Sequence, residues 1–282
     1  MTRIVASSDR GEGPYLWRFS RFERTLHLLV VLSFFGLVVT GVPLHFATEP
    51  WAHFLVALHG GVHVAGMIHG ICALVLLGYF AVHVASVVLR AAKGPNRKRF
   101  FWGPDSMVPQ PRDLRDVAAS FRWFFGRGPR PRFDRYTYME KFDYWSVFWG
   151  VAVIGGSGLL LWFPEAFARW MPGWAFNVAT IVHGEEALLA LCFIFLVHFF
   201  NGQLRPEKFP LDLVIFTGRA TAQYMEEEHP DEMARLRSGG ELERRIAPAP
   251  PRWLSVGAAA FGFVAMAIGL LLTLLVVWAL FR

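Results

Sequence analysis

Four histidines stand in two pairs within two long apolar stretches of the chain. His69 and His83 are 14 residues apart, and His183 and His198 are 15 residues apart. On an α-helix these separations give a rise of about 21 Å and about 22 Å, with a net rotation of only about −40° and about +60°. Each helix therefore presents two imidazoles on one side, near the two faces of a bilayer. Because neutral imidazole is a common axial ligand of haem iron, this spacing predicts two b-type haems held between helices.

The composition is that of an integral membrane protein. Of the 282 residues, 54% are hydrophobic and 16% are aromatic, which exceeds the usual content of a soluble domain. The net charge of +6 comes from basic residues clustered in a few connecting segments, so it does not indicate nucleic-acid binding. No C-x-x-C-H sequence is present, and no covalently attached c-type haem is expected.

Five stretches are long and apolar enough to cross a hydrocarbon core about 30 Å thick. They predict an all-α fold, a transmembrane four-helix haem-binding bundle followed by a fifth, C-terminal transmembrane helix. Pro43 and Pro164 stand where the first and third helices should end. The predicted helices cover residues 26–42, 64–89, 144–163, 176–200 and 254–281.

The placement of lysine and arginine predicts the orientation of these helices. The N-terminal segment and the connection after the second helix are rich in both residues, whereas the connection between the first two helices has neither. The N-terminus is therefore expected on the cytoplasmic side. The predicted organisation is a cytoplasmic tail (1–24), a di-haem core (25–200) with a cytoplasmic loop (91–143), a cytoplasmic extension (201–252) and the fifth helix (253–282).

This topology places the candidate ligands of haem iron at two depths. His69 and His183 lie near the outer face and form one pair. Near the cytoplasmic face, His198 has two candidate partners, His27 at the start of the first helix and His83. The competing interpretation is that these are core histidines hydrogen-bonded to backbone carbonyls, which five residues at two consistent depths disfavour.

The outer connection between the first two helices contains a cluster of histidines. The cluster is either a metal or haem site or, as we prefer, a polar surface loop or a docking face for a partner. Gly70 and Gly184 each follow a proposed ligand directly, and are expected where a flat macrocycle presses on a helix backbone. The clustered residues are His45, His53, His59 and His63.

Several local sequences resemble the cytochrome b subunits of membrane formate dehydrogenases and nickel–iron hydrogenases, within the broader bacterial cytochrome b561 group. The first helix carries Arg24-x-x-His27 followed by SFFGLVVTGVPLH, and YTYMEKFDYW (136–145) enters the third helix. The run HFFNGQLRPEKFPLD (198–212) is similar to variants expected to work with multihaem c-type cytochromes. The resemblance covers residues 15–220.

The resemblance implies two b haems in a four-helix bundle, in the inner membrane of a bacterium. It implies that His69 and His183 bind the outer haem, and that His27 and His198 bind the inner one, with His83 as the alternative inner ligand. A site for menaquinone or ubiquinone would lie beside the inner haem.

The chain departs from this family at three points. The histidines of the fourth helix are one residue further apart than expected for the dehydrogenase subunits. His83 adds a second histidine to the second helix, as in the b subunit of cytochrome b6f. The lysine-tyrosine-asparagine stretch near the quinone of formate dehydrogenase subunits reads Arg135-Tyr136-Thr137 here.

We therefore expect an electron-transfer subunit of a quinone-linked complex rather than a self-contained enzyme. It would exchange electrons between membrane quinone and a redox partner on the outer face, either a multihaem c-type cytochrome or an iron–sulfur subunit. The cofactors would carry the electrons while the protein fixes their ligation and spacing. The alternative is a non-redox membrane scaffold or metal-handling protein that uses the histidines as metal ligands.

Overall fold

The computed structural model describes residues 13–94 and 96–281. In this part of the chain, five helical segments are long and apolar enough to cross a membrane, which confirms the predicted helical membrane fold. We call them the first to fifth spans in chain order. Their bounds are Arg21–His45, Val62–Lys93, Tyr138–Trp162, Gly173–Leu204 and Arg252–Leu280.

Two of the spans are not uniform α-helices. In the third span, a π-helical segment, Val151–Gly155, separates the α-helices Tyr138–Gly150 and Gly156–Trp162. The fourth span begins as an α-helix and then passes through the π-helical segments Phe193–His198 and Phe200–Leu204. A π turn bonds residue i to residue i+5, so it contains one residue more than an α turn.

Short helices occupy the connections between the spans. We number all α-helices in chain order, so that the spans contain α1, α3, α6 with α7, α9 (Gly173–Cys192) and α14. The short helices are α2 (Pro50–Leu58), α4 (Arg97–Trp102), α5 (Pro111–Phe124), α8 (Pro164–Phe167), α10 (Val214–Thr217), α11 (Ala222–Glu228), α12 (Pro230–Ser238) and α13 (Leu242–Arg245).

A small three-stranded antiparallel sheet was not predicted from the sequence. Its central strand β1 (Tyr15–Trp17) pairs on one edge with β2 (Arg219–Thr221) and on the other with β3 (Ile246–Ala247). Leu16 of β1 is only 2% exposed and packs in an apolar cluster with Ala220 of β2. The sheet therefore ties the N-terminal segment to residues that come shortly before the fifth span.

The first and third spans begin at capping boxes, a hydroxyl residue followed three positions later by glutamate. Ser20 Oγ accepts from the Glu23 N–H at 3.3 Å, and the Ser20 N–H donates to Glu23 Oε2 at 2.8 Å. Thr137 and Glu140 make the same two bonds at 3.1 Å and 2.7 Å. Thr137 thus uses its hydroxyl as a helix cap.

The two prolines predicted to end spans act differently from one another. Pro43 lies inside the first span, which continues to His45. Because Pro43 is in the last turn, its missing N–H removes one hydrogen bond without stopping the helix. The third span ends at Trp162, and Pro164 opens α8 at a first-turn position that suits its fixed φ.

The chain divides into two compact units, which are described separately. The polar unit consists of the described residues of Met1–Arg24, Val84–Trp145 and Asn201–Phe261. The apolar unit consists of Thr25–His83, Ser146–Phe200 and Gly262–Arg282, of which Arg282 lies outside the described residues. The tail, the 91–143 loop and the 201–252 extension, expected from the sequence as separate segments, all contribute to the polar unit.

The core of the apolar unit joins the first, fourth and fifth spans. A Cβ atom at Gly269 of the fifth span would collide with the ring of Phe195 in the fourth, so this glycine allows the two helices to approach closely. In lipid, where apolar surface gains little by leaving its surroundings, such close packing stabilises helix pairs. The buried cluster consists of Val38, Val42, Leu191, Phe195, Leu272 and Val276.

Candidate cofactor site

Two of the predicted ligands face each other in the apolar unit. The imidazole rings of His69, on the second span, and His183, on the fourth, have centroids 6.3 Å apart and planes inclined by 68°. A metal ion bonded to two facing imidazoles at about 2 Å on each side holds the ring centroids about 6 Å apart. The separation of these two rings therefore fits a haem iron between them.

The first span orients the ring of His69. Its Nδ1 atom lies 3.0 Å from Thr40 Oγ1, and the ring also makes a backbone hydrogen bond to Leu37. The Thr40 hydroxyl donates its own proton to the Gly36 carbonyl at 2.6 Å, so Oγ1 accepts from the ring. The proton is therefore on Nδ1, and Nε2 carries the lone pair that can bind a metal.

The third span orients the ring of His183 in the same manner. Its Nδ1 atom lies 3.0 Å from the carbonyl oxygen of Ile154, which can only accept, and 3.4 Å from Ser157 Oγ. Ile154 belongs to the π-helical segment Val151–Gly155, where the wider turn changes the usual pairing of backbone carbonyls. His183 therefore also carries its proton on Nδ1 and has Nε2 as the possible ligand atom.

Two glycines make room for these rings. A Cβ atom at Gly41 would lie 3.0 Å from His69 Cε1, and one at Gly158 would lie 2.9 Å from His183 Cε1. These separations are shorter than ordinary van der Waals contact, so a side chain at either position would displace the ring. His69 and His183 thus each lie against a glycine of a neighbouring span.

The glycines singled out from the sequence have other neighbours. A Cβ atom at Gly70 would lie 3.0 Å from the Trp162 ring, and one at Gly184 would lie 2.8 Å from the His45 ring. His45, expected in the outer connection, is the last residue of the first span and lies beside the position that follows His183. Contact of Gly70 and Gly184 with a macrocycle stays a prediction.

The second predicted pair joins His198 to His27 or to His83. His27 and His198 both lie in the apolar unit and interact electrostatically. His83, the alternative partner, packs against Phe148 with ring centroids 6.1 Å apart. The choice between His27 and His83 as the partner of His198 stays a prediction.

The π-helical segment Phe193–His198 accounts for the extra residue between His183 and His198. Because its wider turn takes up one residue without adding net rotation, the effective α-helical separation equals that of His69 and His83. Both spans then present their histidines with a net rotation of about −40°. The 15-residue separation of His183 and His198 and the π-helical segment are thus one structural feature.

The groups that orient the histidines were not predicted from the sequence. Thr40 and Ser157 are hydroxyl residues in apolar helices, and both also bond to carbonyls of their own helix. Such residues are common in membrane helices for that local reason alone, so they are a weak signal. The Ile154 carbonyl has no side-chain signature at all.

The other histidines of the connection between the first two spans have separate environments. His59 Nδ1 lies 2.6 Å from the Leu55 carbonyl oxygen, and His53 and His63 are exposed. Among residues 13–94 and 96–281, no group of three or more His, Cys, Asp or Glu side chains is placed to hold a metal ion.

Apolar spans that bring paired imidazoles together define the class of membrane-embedded helical haem proteins. A model of the prokaryotic cytochrome b561 family matches residues 18–204. This range covers most of the chain and its first four spans, and the chain belongs to the prokaryotic cytochrome b561 family. Membership implies electron transfer in the membrane through haem b, generally two haems, and does not favour the non-redox alternative. No curated protein matches the chain.

Proposed function

We propose that the protein is the cytochrome b subunit of a quinone-linked complex, with two haems b as its cofactors. His69 and His183 would hold one haem, and His27 and His198 would hold the other. The observation that carries the proposal is the separation of His69 and His183, which fits a metal ion between them. When bound, haem supplies one-electron chemistry, and the protein supplies position, ligation and a low dielectric.

The hydrogen bonds to Nδ1 prepare these imidazoles for ligation. Thr40 and the Ile154 carbonyl accept from His69 and His183, respectively. Outer-shell acceptors of this kind fix the tautomer of a ligand histidine, orient its ring and raise its basicity. Gly41 and Gly158 allow the rings to lie against the neighbouring helices in that orientation.

The proposed orientation has the polar unit in the cytoplasm of a prokaryotic cell. The density of lysine and arginine in that unit supports it, because basic residues concentrate in cytoplasmic loops. His27 and His198 adjoin chain segments that belong to the polar unit, so their haem would be the inner one. Menaquinone or ubiquinone would exchange electrons there, and a multihaem c-type cytochrome or an iron–sulfur subunit would do so at the outer face.

Reduction by quinol tests this function. The full-length protein, purified with its haem, is mixed with a reduced menaquinone or ubiquinone analogue while the reduced-minus-oxidised spectrum is recorded. We expect a b-type α band to develop. Haem that dithionite reduces but neither quinol does would contradict the quinone assignment, and a protein without haem absorbance would contradict the whole proposal.

Two variants test the inner ligand. Because His27 and His198 interact electrostatically, we expect His27→Ala to lose about half of the haem b and His83→Ala to keep it, as each b haem here needs two axial histidines. The opposite result would assign the inner haem to His83. Unchanged haem content in both variants would reject the inner site.

A further inference from the structure

Helix α5 of the polar unit carries an exposed apolar stripe. Leu114 and Phe121 are 75% and 61% exposed, and Phe125, which caps the C-terminal end of the helix, is 66% exposed. Together with Ala118 they recur at intervals of four, three and four residues, which places them along one side of the helix. Large apolar side chains aligned in this way are a contact surface rather than scattered exposed residues.

Basic residues border this stripe. Arg115 and Arg122 are exposed and lie about 80–100° around the helix from Leu114. The preceding helix α4 repeats the combination in six residues, RKRFFW, whose three basic side chains and Trp102 are all exposed. The surface thus combines aromatic and aliphatic groups with several exposed positive charges.

Contacts within the polar unit hold α5 at the beginning of the third span. The Lys141 ammonium lies 2.9 Å and 3.0 Å from the two carboxylate oxygens of Asp113. Just before α5, the Met107 carbonyl accepts a hydrogen bond from the Trp145 indole N–H at 2.9 Å. Lys141 and Trp145 lie in the first two turns of a membrane span, where tryptophan is typical of the membrane–water interface. Helix α5 is therefore fixed near the level at which this span enters the membrane.

The opposite side of α5 bonds to protein. Arg112 Nη2 lies 2.7 Å from Asp231 Oδ2 of α12, and Asp113 is the partner of Lys141. One side of the helix is thus attached to the polar unit while the apolar stripe faces outward. This arrangement gives the helix a defined direction at the membrane boundary.

We propose that α5 lies in the membrane–water interface, with Leu114, Phe121 and Phe125 among the lipid chains. Arg115 and Arg122 contact anionic headgroups. The positive border that Arg115 and Arg122 form on one side of the stripe complements the negative surface potential of the cytoplasmic leaflet. A helix with an aromatic apolar face and a basic polar face is typical of interfacial binding. The proposal goes beyond the electron-transfer function and requires only that the spans cross a membrane.

Quenchers confined to lipid or to water test the proposal in the full chain. Cys72 and Cys192, the free cysteines of the described chain, are first replaced by alanine. Phe121→Cys or Leu114→Cys then carries a fluorescent label, and Ser238→Cys, at an exposed position of α12, is the matched control. Each protein is reconstituted into vesicles of phosphatidylcholine with phosphatidylglycerol, and quenched by acyl-chain nitroxide or by aqueous iodide.

We expect the labels at positions 114 and 121 to lie about 5–10 Å inside the headgroup boundary. The nitroxide should quench them several-fold more than the label at position 238, and iodide should show the reverse order. Iodide quenching equal to that at position 238 would overturn the proposal. Shielding from both quenchers would also overturn it, because a protein would then cover the stripe. Haem content measured in the same samples keeps this result distinct from the proposed function.

Discussion

His69 and His183 are each held by a hydrogen bond to one ring nitrogen and by a neighbouring glycine that leaves room for the ring. The ring of His69 bonds through Nδ1 to Thr40 and lies against Gly41, and the ring of His183 bonds to the Ile154 carbonyl and lies against Gly158. The bond alone would leave the ring free to tilt, and the glycine alone would leave its tautomer unspecified. Together they determine which nitrogen can bind a metal and where it points.

Gly158→Ala tests this constraint. Because the new Cβ atom would lie 2.9 Å from His183 Cε1, the ring must move, and we expect haem affinity to fall by about tenfold or more, the scale of losses when ligand-orienting groups are changed. Gly78→Ala is the control, since a Cβ atom there meets nothing within 4 Å. Haem titration of the apoprotein measures both variants. Equal affinities would show that Gly158 does not constrain the site.

The candidate ligand histidines could be predicted from the sequence, but the groups that hydrogen-bond to them could not. An imidazole in an apolar helix is rare enough to be conspicuous. A threonine or serine in such a helix looks the same whether it bonds to its own backbone or to a neighbouring ring. Thr40 and Ser157 each bond to a backbone carbonyl of their own span, and each also lies near a histidine ring. Only the packing of the spans reveals the second contact.

Among the helices, the π-helical segments are the features that adapt regular spans to the site. Val151–Gly155 contains the carbonyl that orients His183, and Phe193–His198 ends at the candidate inner ligand. Pi-helical turns are often found at functional sites because they re-aim the residues that follow. Here Val151–Gly155 supplies the carbonyl that accepts from His183, and Phe193–His198 takes up the extra residue between His183 and His198.

Single-residue deletions in the fourth span test the second role. Removing Leu196 from the π segment should return that turn to α-helical geometry and leave His198 facing its partner. Removing Leu189, which is equally lipid-exposed but lies in regular α-helix, should rotate one histidine against the other by about 100°. We expect the first variant to keep both haems and the second to lose one, measured as haem per chain. Loss of haem in both variants would contradict the interpretation.

The existence and order of the five spans could be predicted because an uninterrupted run of about twenty apolar residues is the length that a membrane helix requires. Their ends could not, because capping and polar contacts decide them. The first span extends past Pro43 to His45, and the third begins at Tyr138, after the Thr137 cap, rather than at Tyr144. A π turn has no sequence signature of its own. Its only sign here is that His183 and His198 are one residue further apart than expected.

At the scale of the whole molecule, the polar unit is built from three distant segments joined by buried charges. Glu232 of α12 accepts from Arg18 at 2.6 Å and from Arg135 at 3.1 Å. Arg135 in turn donates to the Arg18 carbonyl at 2.7 Å. One carboxylate thus holds the N-terminal segment, the loop after the second span and the segment before the fifth.

Glu232→Gln tests this junction. The substitution removes the nearest countercharge of two buried guanidinium groups, although Glu140 Oε1 remains 4.0 Å from Arg18 Nη2. Loss of one partner of a buried pair costs about 3–5 kcal/mol. The control is Glu226→Gln, whose pair with Arg237 is half-exposed and is expected to contribute less than about 1 kcal/mol. Hydrogen exchange of the α12 amides in the intact protein measures the free energy of opening. Equal effects in both variants would show that the buried network does not hold the unit together.

The same network predicts a loss of stability in mild acid. Burial, and then the positive charge of Arg18, hold the pKa of His229 well below its usual value. Its Nδ1 lies 2.8 Å from the Asp134 carbonyl oxygen, and its Nε2 lies 2.9 Å from Arg18 Nη2. The opened chain therefore takes up a proton that the folded unit does not. The free energy of opening should therefore have its full value above about pH 6.5. Below that pH it should fall by up to about 1.4 kcal/mol for each pH unit.

Hydrogen exchange of α12 across this pH range measures the effect, with His229→Gln as the control that cannot titrate. Burial raises the pKa of Glu232, but the positive charges of Arg18 and Arg135 lower it by more than burial raises it. The pKa of Glu232 is therefore below its ordinary value. Glu232 therefore takes up a proton only at a pH below the range in which His229 is tested. A wild-type protein as insensitive as His229→Gln between about pH 6.5 and about pH 5 would contradict the prediction.

This assembly could not be predicted from the sequence. Arginine-rich connections are expected beside membrane helices for reasons of topology alone, so the sequence gives Arg18 and Arg135 no sign of a buried role. Their shared partner Glu232 is separated from Arg18 by 214 residues. Charges of both signs in the 201–252 segment are typical of a partly helical extension, whereas here they complete a folded unit.

The central claim, that paired imidazoles hold two haems, is tested most directly by the haem b content per chain in a pyridine haemochrome assay. With axial histidines supplied by His69 with His183 and by His27 with His198, we predict two haems in the wild type, one each in His69→Ala and His198→Ala, and none in the double variant. A wild-type protein without haem, or single variants that keep both haems, would contradict the account.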